Sequence, residues 1–144
     1  MSTDASAVDA VAKYFFFSTL DENLSHAASL KALTELGARN LLDLEHRAYW
    51  VQVLHRWKGK LKSVKAKPWA SQGRRGFTLP PGFEVAVWAS FLSAGEAVET
   101  EAVLLSRILS FSDQEIAFGL GVTEGTVRYR VGRGLRHLGG FIES

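Results

Sequence analysis

Arg128, Arg130, Arg133 and Arg136 fall within nine residues, with Tyr129 between the first two and Thr123, Glu124 and Thr126 just ahead of them. A guanidinium group presents a planar fork of donors that matches phosphate oxygens and the O6/N7 edge of guanine. With hydroxyls and a ring beside it, the grouping predicts binding to a polyanion rather than bond-breaking chemistry. A second basic group, Arg56, Lys58, Lys60 and Lys62, offers further phosphate partners. No Ser/His/Asp arrangement suited to nucleophilic catalysis is visible, so an enzyme is not expected. His26, His46, His55 and His137 lack metal-ligand spacing and there is no cysteine to join them, so no metal and no cofactor are expected. Gly119-x-Gly121-x-x-x-Gly125 has the glycine content of a dinucleotide loop. Such a loop follows a strand, however, and the preceding SDQEIAF reads as a capped helix start.

The net charge of +2 hides an uneven distribution. Residues 1–48 hold 4 Lys/Arg against 7 Asp/Glu, and residues 76–124 hold 1 against 7. Residues 49–75 hold 8 basic residues and no acid, and residues 125–144 hold 4 against 1. Two basic islands in an acidic body suit a protein that touches a polyanion at two places. A solvated face and linker is the plainer alternative for the first island. A hydrophobic content of 47% predicts a folded chain. No apolar run approaches the roughly 18 residues of a transmembrane helix. Asp4 and Asp9 precede the first lysine, the wrong charge for a secretory signal. A cytoplasmic location without a membrane partner is expected.

The basic residues near the C-terminus need an element to hold them, and the local sequence supplies one. Ser112 with Glu115 three residues on forms a capping box, and Phe111 with Ile116 forms a hydrophobic staple. Thr123 repeats the capping signal, with Val122 placed to pack on Val127. Two helices beginning at Asp113 and Glu124 follow, with Gly121 free to take the left-handed turn between them. Ala117 is small, as a close helix crossing requires. Helix, tight glycine turn, helix is the helix-turn-helix pattern. At 100° per residue, Val127, Val131, Leu135 and Leu138 gather on one side of the second helix. Gly125, Tyr129, Gly132, Arg133 and Arg136 gather opposite, with Arg128 and Arg130 on the flanks. One buried stripe and a basic outer face suit a helix that enters the major groove.

Upstream the pattern is helical almost throughout. Val8, Val11, Ala12 and Phe15 share a face of a first helix, and a second runs from Leu24 to Leu36 and stops at Gly37. A third begins near Asn40 and carries the stripe Trp50, Leu54, Trp57, Leu61 and Val64, which predicts a core role for both tryptophans. SQGRRGFTLPPG, residues 71–82, is the candidate linker. Phe83 to Leu92 fits a short helix or a strand, and its helical surroundings favour helix. Glu96 to Leu109 predicts a helix burying Val98, Ala102, Leu105 and Leu109. The expected architecture is all-α: an N-terminal helical unit at 5–70, a Gly/Pro/Arg linker at 71–82, and a C-terminal helical unit at 83–142. The last is expected to fold without the rest.

FSDQEIAFGLGVTEGTVRYRVGRGLRHL resembles the promoter-binding domain, region 4, of bacterial RNA polymerase sigma factors, especially the extracytoplasmic-function group. Ser112, Glu115-Ile116-Ala117, Leu120-Gly121-Val122, Thr123 to Val127, Arg130, Arg133 and Leu138 carry the match. The resemblance implies a four-helix C-terminal domain that grips the −35 element of double-stranded promoter DNA, with core RNA polymerase and an anti-sigma factor as further partners. It places the family's acidic and basic contact positions on Glu124, Arg128, Arg130 and Arg133. Residues 8–66 are more loosely similar to the family's region 2, which binds polymerase and opens the −10 element, with RAYWVQVLHRWKGKLK in place of its last helix. Ser25-His26-Ala27-Ala28 stands where that region carries acids and a glutamine. A sigma-like module that binds polymerase or an anti-sigma partner without initiating transcription is therefore the alternative.

Overall fold

The computed structural model describes residues 3–61 and 84–143, and the expected linker at 71–82 and Lys62 lie outside them. The fold is all-α, with no strand among the described residues. Helices α1 (Thr3–Thr19), α2 (Glu22–Ala38) and α3 (Arg47–Gly59) precede α4 (Val85–Ala94), α5 (Ala97–Val103), α6 (Asp113–Leu120) and α7 (Glu124–Glu143). A short 3₁₀ turn, Leu44–His46, leads into α3, and a π-helical turn, Leu104–Ile108, extends α5. The ambiguous apolar run after the linker is thus helical, as α4.

Local chemistry sets these boundaries. The Asp21 carboxylate accepts the Leu24 amide at 2.9 Å and starts α2 directly after α1 ends. Gly37, expected just past the end of α2, instead lies within it. Asn40 takes the left-handed turn, at φ 59°, which the short polar Asn side chain tolerates. The third helix accordingly begins later than Asn40, after the 3₁₀ turn. In α1, Val8 is exposed, while Tyr14, Phe15, Phe16 and Phe17 are all buried. An unbroken aromatic run cannot present a single face, so neighbours cover it on every side.

Those neighbours come from both halves of the chain. A single hydrophobic core takes Val11 and Phe15 from α1, Leu36 from α2, Trp50 and Leu54 from α3, Trp88 and Phe91 from α4, and Leu105, Ile116 and Val127 from beyond. Helix α3 lies along α6, and a Cβ at Gly119 would come within 2.4 Å of Val51, so glycine is what lets these two helices touch. The Trp50 ring meets Phe111 edge-on at 6.4 Å. The Trp88 indole N–H donates to the Phe17 carbonyl at 2.7 Å. Arg47 reaches Glu115 at 3.3 Å and donates to the Ser110 carbonyl at 3.2 Å. The four C-terminal helices anticipated from the sequence are present, but the surface they bury is shared with α1 and α3.

Candidate DNA-binding site

The helix-turn-helix forms as its capping residues dictate. The Glu115 amide donates to Ser112 Oγ at 3.1 Å, and the Ser112 amide donates to Glu115 Oε1 at 2.9 Å. Gly121 closes α6 with φ 71°, a conformation that favours glycine. Thr123 Oγ1 accepts the Thr126 amide at 3.1 Å and donates to Thr126 Oγ1 at 2.9 Å, which starts α7. Val127 and Val131 are buried beneath the helix, as the wheel requires.

The outer face of α7 is open. Tyr129 is 63% exposed, the most exposed large apolar side chain among the described residues. Gly125, Arg128 and Arg136 are exposed beside it, as are Thr123 and Glu124 at the N-terminus, and Thr126 is half-buried. Arg128 is held only loosely, 3.7 Å from Asp113 and 3.9 Å from Glu124. Exposed pairs of that kind contribute little and are readily exchanged for phosphate. A Cβ added at Gly132 would meet nothing nearer than Arg136 Nη1 at 3.8 Å, so this glycine answers no packing demand.

Two predicted contact residues are engaged inside the molecule to different degrees. Arg130 is half-buried, and its charge opposes protonation of His55 on α3. Arg133 is bound more firmly. Its Nε donates to Glu99 Oε2 at 2.9 Å, and its guanidinium lies 5.8 Å from the Tyr129 ring centroid. Glu99 is buried, and its second oxygen lies 2.8 Å from His137 Nδ1. The Arg133 hydrogen bond holds the Glu99 carboxyl below its usual range against the opposing cost of burial.

The basic island on α3 is partly committed as well. Arg56 pairs with Glu35, which also accepts from the Trp57 indole at 2.9 Å and from Arg39 at 2.9 Å. These donors, Arg56 foremost, lower the Glu35 pKa to about 2. Lys60 lies 4.7 Å over the Trp57 ring. Lys58 is half-buried, within electrostatic reach of Glu101 and His55. Trp50 is buried and donates to the Leu41 carbonyl at 2.6 Å, and the half-buried Trp57 packs against the same core, so neither is an open nucleobase platform.

Sequence reasoning missed the carboxylates of α5. The apolar period put Val98 on the buried face, yet Val98 is exposed and Glu99 and Glu101 are buried. Glu101 accepts the Tyr14 hydroxyl at 2.6 Å and lies 2.8 Å from His55 Nδ1. Burial pushes the Glu101 carboxyl up, but His55, Lys58 and Tyr14 together outweigh it and leave it lowered. The α5 acids could have been suspected only from the surplus of His and Arg without acidic neighbours on α3 and α7.

Residues 97–138 match the family described as Sigma-70, region 4. No curated protein and no solved structure matches the chain. The matched segment spans α5, the π-helical turn, α6 and most of α7, and it contains every capping and turn residue of the helix-turn-helix. The comparison thus supports a likeness to sigma-70 region 4 for the C-terminal part of the chain, residues 97–138.

Proposed function

We propose that the chain is a sigma-type transcription initiation factor that works in the cytoplasm, binds a −35 promoter element through α6 and α7, and associates with core RNA polymerase. The observation that carries this reading is the open, basic outer face of α7 within a capped helix-turn-helix of the region 4 type. In this reading Thr123, Glu124, Thr126, Tyr129 and Arg136 would meet base edges, and the flanking Arg128 and Arg130 would meet phosphates. Arg56, Lys58, Lys60 and Lys62 would contact DNA nearer the start site. Pull-down of core polymerase followed by run-off transcription on genomic fragments tests it directly. Polymerase capture with defined transcripts is expected.

One observation favours a second reading. Helix α3, which resembles the last helix of region 2, is packed along α6 with its tryptophans turned inward. A chain that keeps this arrangement would bind polymerase or an anti-sigma partner as a sigma-like regulator and would open no promoter. Polymerase capture without any transcript, on every fragment offered, selects this alternative.

A further inference from the structure

Residues that set the orientation of a reading helix need not touch DNA themselves, and α5 supplies such a residue. Gly134 brings α7 close to α5: a Cβ there would lie 2.5 Å from Val103 Cγ2 and 3.1 Å from the Glu99 carbonyl oxygen. That contact fixes the separation of the two helices. Rotation of α7 about its axis is a separate freedom, and Glu99 restrains it. One oxygen takes Arg133 Nε at 2.9 Å and the other lies 2.8 Å from His137 Nδ1. Arg133 and His137 are four residues apart, so a single carboxylate grips two successive turns of one face of α7. Tyr129 is the next residue up that stripe, four before Arg133, and its ring lies 5.8 Å from the Arg133 guanidinium, within cation–π range. Glu99 is 3% exposed, so swinging Arg133 out to a phosphate would leave a carboxylate buried beside His137 alone.

We propose that Glu99 is a positioning residue for the DNA-reading face: it fixes Arg133 from within, Arg133 supports the Tyr129 ring, and Arg133 itself neutralises no phosphate. The sequence pattern counted Arg133 among the contacts. The geometry makes it the inner member of a Glu99–Arg133–Tyr129 stack, and leaves Arg128, Arg136 and Tyr129 as the outward-facing set.

This inference rests on the DNA-binding reading, and the experiment separates the two. The full chain is titrated against two duplexes of about 20 base pairs, one selected from a random pool by the wild-type protein and one scrambled, over a range of salt. A phosphate contact contributes about one unit to the slope of log affinity against log salt. Arg133→Gln, which keeps a donor towards Glu99 and removes the charge, is expected to retain the wild-type slope and bind the scrambled duplex within about twofold. Its preference for the selected duplex is expected to fall about tenfold. Glu99→Gln is expected to lose preference likewise, and the double variant to lose no more than the worse single one, because both act through the same stack. A slope lower by about one unit in Arg133→Gln, or losses that add in the double variant, overturns the proposal. Circular dichroism identifies any variant that fails to fold; for an unfolded Glu99→Gln the Arg133→Gln slope alone decides. Wild-type protein that binds neither duplex sinks the DNA-binding reading instead.

Discussion

Glycines of opposite meaning sit on the two helices of the helix-turn-helix. Gly119 faces Val51 so closely that a methyl group would have to occupy the space of the Val51 side chain, 2.4 Å away. Overpacking of this kind costs roughly 1–3 kcal/mol. Gly119→Ala is therefore expected to lower the melting temperature and loosen α3 from α6. A Cβ at Gly132 would meet only the end of the Arg136 side chain, at an ordinary 3.8 Å, and a mid-helix glycine costs about 1 kcal/mol relative to alanine. Gly132→Ala is expected to raise the melting temperature by about 2–4 °C for a chain of this size. Thermal melts of the two variants should move in opposite directions. If the backbone at Gly132 approaches DNA closely, the stabilised Gly132→Ala protein should bind the selected duplex more weakly, and equal binding would leave the glycine without a role at that surface.

At the scale of the element, α5 is the hub. Its two buried carboxylates reach in different directions, Glu99 to α7 and Glu101 to α1 and α3. The capped helix starts were legible in the sequence because each is written in residues three to five apart: Ser112 with Glu115, Thr123 with Thr126. The same holds for the Gly121 turn and the buried stripe of α7. What was illegible depends on partners far along the chain. Glu101 is buried because Tyr14, 87 residues away, and His55, 46 away, satisfy it. Periodicity, blind to both, ranked Val98 above its acidic neighbours. The His55–Glu101 contact also carries a pH dependence. The Glu101 hydrogen bond raises the His55 pKa above its ordinary 6.5 against partial burial and the charges of Lys58 and Arg130. A folded pKa above the unfolded one means stabilisation that is complete below 6.5 and lost as pH rises through the folded value. Glu101, lowered in the fold, works in the opposite sense and loses its contribution as pH falls below 4.5. Melts across about pH 6 to 9 are expected to show an alkaline decline in the wild type that His55→Gln flattens. An identical decline in the variant would assign it to another group.

At the scale of the whole molecule, the question is whether helices α4 to α7 are self-sufficient. The linker composition and the complete caps after it lead to the expectation that residues 80–144 fold alone. The shared core leads to the opposite one. Without the N-terminal half, the fragment would lose Trp50 from Phe111, Val51 from Gly119, the Phe17 carbonyl from the Trp88 indole, and both His55 and Tyr14 from Glu101. Together these losses strip α4 to α6 of much of the packing and polar contact that cover them, and a small domain has little stability to spare. Helical content in the isolated fragment can persist, because the Ser112–Glu115 capping box and the Thr123 cap are local. Cooperative melting should not, because it requires the packing that α1 and α3 complete. Residues 80–144 are thus expected to show helical circular dichroism with a broad, non-cooperative melt, and to recover a sharp transition when residues 1–70 are added at high concentration. A sharp melt of the fragment alone, near the transition of the intact chain, would show that α4 to α7 need no support, and that the contact between α3 and α6 can open without unfolding the helix-turn-helix.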